Sequence, residues 1–139
     1  MRVVLDTNVV VSAVIFGGPP GEIIELAAAR RLELVISPAL IVEFRRVLRE
    51  KFAFSYDALY LAETLLRRAG TVVEPGQTLA VIAEDPEDDR VLEAAVEGKA
   101  DVIVSGDQHL LALKVFQGIL IMSPRQLLNQ LRRSRLGSR

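Results

Sequence analysis

The chain has 139 residues, half of them hydrophobic and a quarter charged, which suits one domain with a real core. A net charge of −1 argues against holding nucleic acid by bulk electrostatics, and the absence of cysteine excludes disulfides, thiolate metal sites and a cysteine nucleophile. The chain does not open on a signal-peptide pattern, and its apolar runs fall short of the roughly 18 residues of a membrane span, so a cytoplasmic protein is expected.

In chain order, Val3-Val4-Leu5 is a short apolar, β-branched run that predicts a strand buried on both faces. The glycine and proline run Gly17-Gly18-Pro19-Pro20-Gly21 predicts an exposed loop. A helical period follows over 22–31, then a second strand at Leu34-Val35-Ile36. Ser37-Pro38 is an N-cap followed by proline in the first helical turn, opening a helix over 38–52. A further helix spans 56–69, and Thr71-Val72-Val73 is a weaker strand. The remainder reads as a helix over 88–98, strands at Val102-Ile103-Val104 and Ile119-Leu120-Ile121, and a helix over 123–133 opened by Ser123-Pro124. This alternation predicts a three-layer α/β/α sandwich around a central, mainly parallel sheet of four to five strands. Residues 1–131 form a single domain in this reading, and the basic tail 132–139, with four arginines and no acid, is expected to be disordered.

In such a sheet the ligand site lies beyond the carboxyl ends of the strands. Asp6 directly follows the first strand, and Asp107 follows Val102–Val104 through a Ser105-Gly106 turn. Each taken alone is equally a helix N-cap. Glu43 is harder to explain structurally. It shares the helical face of Leu40, Phe44, Val47 and Leu48, where a carboxylate is costly unless paired, with Arg46 for instance, or bound to metal. Asp88 and Asp89 open the helix that carries Val91, Leu92, Ala95 and Val96, and either reaches its core side. Asp88 and Asp89 extend an acidic run with Glu84, Asp85 and Glu87 that also suits a solvated turn at a helix start. Carboxylates gathered at one edge repel, and a divalent cation relieves the conflict. With no cysteine and one histidine, the donor set favours Mg²⁺ or Mn²⁺, one or two ions, over zinc. Such a cation activates water and stabilises phosphate oxygens during in-line displacement.

At these residues the chain resembles the PIN-domain nucleases, especially the VapC-like toxins of prokaryotic toxin–antitoxin systems. Val4-Leu5-Asp6-Thr7-Asn8 resembles the family's first motif, and Ser37-Pro38 followed by Glu43 its second. The third is Asp85-Pro86-Glu87-Asp88-Asp89-Arg90 with Leu92 and Ala95; the fourth runs from Ala100-Asp101 through Ser105-Gly106-Asp107 to Leu110-Leu111. The resemblance implies a Mg²⁺- or Mn²⁺-dependent endoribonuclease with Asp6, Glu43 and Asp107 as metal-binding acids. It leaves the remaining acid open between Asp88 and Asp89. Asn8 and Ser105 match polar positions that support the site. A homodimer and an inhibiting antitoxin protein are also implied. Arg45 and Arg90 are the arginines chosen to hold the RNA backbone.

Other readings are weaker. A serine triad on His109 lacks a Gly-x-Ser-x-Gly elbow, so that histidine is read as exposed and nonessential. A phosphatase or phosphoacceptor domain on Asp6 would need a lysine at the end of a late strand, which Lys114 meets poorly. A non-catalytic PIN-like module binding RNA or protein would not need all the acidic positions filled.

Overall fold

The computed structural model describes residues 1–82 and 86–137. Six strands form one sheet: β1 (Arg2–Leu5), β2 (Glu33–Ile36), β3 (Gly70–Val72), β4 (Val102–Val104), β5 (Val115–Phe116) and β6 (Ile119–Met122). Their spatial order is β3-β2-β1-β4-β6-β5, with every neighbouring pair parallel except β5 and β6. Among the described residues seven helices connect or flank them: α1 (Thr7–Phe16), α2 (Gly18–Ala28), α3 (Pro38–Phe52), α4 (Tyr56–Ala69), α5 (Pro86–Glu97), α6 (Gln108–Leu113) and α7 (Pro124–Gly137).

The layers follow from the two-residue period of the strands. Val3, Leu5, Leu34, Ile36, Val102 and Val104 face one core, shared with α1, α2, α3, α4 and α7. Val4, Val35 and Ile103 face the other, filled by Val91, Leu92, Ala94 and Ala95 of α5 and Leu110 of α6. The expected three-layer α/β/α sandwich is thus present, with six strands where four to five were expected. The additional β5 is two residues long, too short to show a periodic pattern.

One local expectation is corrected. Gly17–Gly21 is not a loop: α2 begins at Gly18 and includes both prolines and Gly21. Proline lacks an N–H, but the first helical turn leaves its N–H groups unbonded in any case. Gly17 and Gly18, at φ 72° and 61°, make the sharp turn from α1 that the prolines alone could not. Helix α1, to which the sequence reading assigned no element, contains Val9-Val10-Val11, residues with strand propensity. Burial of all three against the sheet overrides that preference. At the other end α7 runs to Gly137, so the stretch from Arg132 to Gly137 is helical. Ser123 and Gln126 open α7 by exchanging side-chain-to-amide bonds of 2.8 and 3.2 Å, a capping box.

Candidate active site

From β1 the chain moves through β2 to β3 on one side, whereas β4 and β6 lie on the other. The strand order therefore switches between β1 and β4, and a crevice opens beyond their carboxyl ends. The Asp6 amide donates to the Val104 carbonyl at 3.0 Å, which holds the two strand ends together.

Asp6 is the N-cap of α1 and is buried. Its Oδ1 accepts the amides of Asn8 at 2.7 Å and Val9 at 3.2 Å, and its Oδ2 accepts the Ser105 hydroxyl. Ser105 Oγ in turn accepts the Asp107 amide at 2.9 Å. One serine at the end of β4 thus links the two acids. Burial raises the Asp6 carboxyl above its ordinary pKa; the hydrogen bonds from Ser105, Val9 and Asn8 oppose this, and the charge of Asp107 adds to it. Asp107 caps α6 through the amides of His109 and Leu110. Both helix caps foreseen at Asp6 and Asp107 therefore exist, and capping leaves each carboxylate at the carboxyl edge of the sheet.

Glu43 reaches the same crevice from the second turn of α3. Its Oε2 accepts the Thr7 hydroxyl at 3.0 Å, and its Oε1 lies 3.9 Å from Arg46 Nη2. Asp6, Asn8, Glu43 and Asp88 line one cleft of about 190 Å³, together with Arg46 and Lys51. On the far side Asp88 meets Asp107 and His109, with one potential ligand atom from each lying within 4.8 Å of the others. Acids from β1, α3, α5 and the β4–α6 turn therefore gather at a single edge. Their oxygen donors match a hard divalent cation, and His109 adds one nitrogen.

Asp88 and Asp89 are separated by helical geometry. Asp89 Oδ1 accepts the amides of Val81 and Ile82, both at 2.9 Å, and so fastens the segment that precedes α5. Asp88 faces the cleft. Arg45 and Arg90 do not line it. Arg45 pairs with Glu63 of α4 at 2.7 Å; Arg90 bonds the Leu79 carbonyl at 3.1 Å and Glu93 at 2.9 Å. Glu84 and Asp85 lie outside the described residues. Thr7, Arg46 and Lys51 are cleft residues outside the site candidates named from the sequence. Arg46 carried a usable signal, because it is three residues beyond Glu43 on α3. His109, read as nonessential, is half-exposed with Nδ1 3.5 Å from Asp107 Oδ1.

A family model described as PIN domain matches residues 2–109, most of the chain. The chain belongs to the PIN-domain family. Its fold is also similar to a chain in the crystal structure of VapBC2 from Rickettsia felis bound to a DNA fragment from their promoter. The TM-score is 0.63 at 13% identity, covering 87% of this chain and 97% of that one. No curated protein matches this PIN domain in sequence. The family match spans all four acid-bearing segments, from Asp6 to Asp107.

Proposed function

We propose that this PIN domain is a divalent-metal-dependent endoribonuclease that hydrolyses RNA phosphodiesters and serves as the toxin of a toxin–antitoxin pair. The observation that carries the reading is the gathering of Asp6, Glu43, Asp88 and Asp107, from four separate elements, at the switch point of the sheet. Those four would hold one or two Mg²⁺ or Mn²⁺ ions. A bound ion of this type supplies charge neutralisation and polarises water and phosphate oxygens. The chain's own groups do the positioning. Ser105 and the amides of Asn8 and Val9 lock the Asp6 carboxylate, and Thr7 orients Glu43. Arg46 adds positive charge where a phosphodiester would approach Glu43. RNA as substrate rests on the motif resemblance.

The antitoxin part rests on the likeness in fold to a VapBC2 chain and on an apolar groove of about 480 Å³ between the α1–α2 pair and α4. Val14, Leu61 and Leu65 are exposed in this groove, as a surface awaiting a partner would be. A homodimer belongs to the same reading and is checked by light scattering.

The test is cleavage of a panel of structured and single-stranded RNAs in Mg²⁺, Mn²⁺ or EDTA, beside Asp6→Asn. Metal-dependent cleavage lost in the variant supports the proposal. Cleavage that survives EDTA or the substitution would sink the mechanism, and RNA binding without cleavage would favour a non-catalytic module.

A further inference from the structure

Helix α3 carries a charge pattern that the acid cluster does not account for. Glu43, Arg46, Val47 and Lys51 all line the cleft, so one face of α3 runs from an acid to two cations. At about 1.5 Å rise per residue, Arg46 lies roughly 4.5 Å beyond Glu43 and Lys51 roughly 12 Å beyond it. Other α3 cations have acidic partners: Arg45 has Glu63, Arg46 has Glu43 and Glu50, and Arg49 has Glu50. Lys51 makes no ion pair among the described residues, although it shares a cleft with three carboxylates. A lysine in the last helical turn also suits the helix dipole. The dipole, however, is served equally well on any face, whereas Lys51 stands on the face that lines the cleft.

We propose that Lys51 forms a subsite for a backbone phosphate flanking the cleaved one, so that single-stranded RNA runs from the acids along α3 toward its carboxyl end. This rests on the nuclease reading above and adds a direction to it. The Lys51 Cα stands about 12 Å along the helix from that of Glu43, so a phosphate one or two nucleotides from the one at the acids falls within its reach. As a flexible point charge it contacts phosphate without reading bases.

The experiment measures binding and cleavage separately. Binding of a fluorescein-labelled single-stranded oligoribonucleotide to the full chain is followed by anisotropy in EDTA across a salt series. Lys51→Gln should weaken binding about three- to tenfold at moderate salt and reduce the slope of log affinity against log salt by about 0.7, the value for one phosphate contact on a single strand. Lys51→Arg should restore both. Lys99→Gln removes the same charge at the opposite edge of the sheet, before β4, and should change neither. Affinity and slope equal to wild type in Lys51→Gln, with Mg²⁺- or Mn²⁺-dependent cleavage intact, would overturn the subsite and leave the nuclease standing. Equal losses in Lys51→Gln and Lys99→Gln would also overturn it, as a general charge effect. A wild-type chain that neither binds nor cleaves RNA would overturn the subsite together with the nuclease.

Discussion

At the residue scale the site turns on what burial does to Asp6. Its raised pKa means that the folded chain favours the protonated form. The associated stability is fully present below the ordinary aspartate value and is lost as pH rises through the raised one. Ionising this carboxyl in the metal-free protein therefore costs stability. Asp6→Asn keeps a capping oxygen for the amides of Asn8 and Val9 and removes the charge. Its metal-free melting temperature, followed by circular dichroism, should exceed wild type at pH 7, and the difference should shrink in acid. Cleavage should fall by about a hundredfold or more, as when a group that supports transition-state charge is lost. The neighbouring pair Asp88 and Asp89 gives a second contrast. Asp89→Ala should cost about 1–3 kcal/mol, because the amides of Val81 and Ile82 lose their acceptor. Asp89→Asn should recover most of that. Asp88→Asn should leave denaturant stability within about 1 kcal/mol of wild type and weaken Mn²⁺ binding measured by calorimetry. The reverse pattern would assign the metal-binding role to Asp89.

At the scale of elements, the site needs α3 and α5 held at fixed positions against the sheet. Arg45 of α3 reaches Glu63 of α4 at 2.7 Å and ties the two helices together, while Arg67, one turn along α4, braces Glu63 at 2.8 Å. Hydrogen bonds from Arg67 and then Arg45 lower the Glu63 pKa. For a lowered value the stability is present above the ordinary glutamate pKa and is lost as pH falls through the folded one. Glu63→Gln should therefore cost up to about 1 kcal/mol at neutral pH and nothing in strong acid, as denaturant titrations at the two pH values would show. The end of α5 is more demanding. A Cβ on Gly98 would stand 2.4 Å from Val35 Cγ1 on β2. Gly98→Ala should destabilise by about 1–3 kcal/mol and shift the helix that carries Asp88. Loss of stability with Mn²⁺ affinity unchanged would show that the acid's placement tolerates this shift.

At the scale of the molecule, the switch point gathers acids whose oxygen donors match a divalent cation. Folding brings like charges together, so on the proposed reading an ion held by the acids of the folded state would find no such site in the unfolded chain. A cation at about a hundredfold excess over its Kd should stabilise the fold by about 2.7 kcal/mol, a rise of roughly 5–10 °C in Tm. EDTA should remove this gain, and Asp6→Asn should not show it. The gain should also weaken as pH falls toward the raised Asp6 value, because protons compete for the same oxygens.

By itself the sequence determined the alternation of strands and helices, the bounds of two helices and the acids at strand ends. Those are local matters. The ranges 38–52 and 56–69 are those of α3 and α4, because Ser37 and Ser55 cap amphipathic runs whose period is plain. Asp6 and Asp107 were legible both as caps and as site candidates, since one position satisfies both roles. Tertiary structure decided what depends on packing between distant segments. Val9-Val10-Val11 became helical only because the sheet offered a face to bury them on. Residues adjacent in sequence were sent to different places: Asp88 to the cleft and Asp89 to the Val81 and Ile82 amides, Arg46 to Glu43 and Arg45 to Glu63. A helix turns about 100° per residue, so one step along the chain changes the partner entirely. Only the packed fold says which of two neighbours faces the acids.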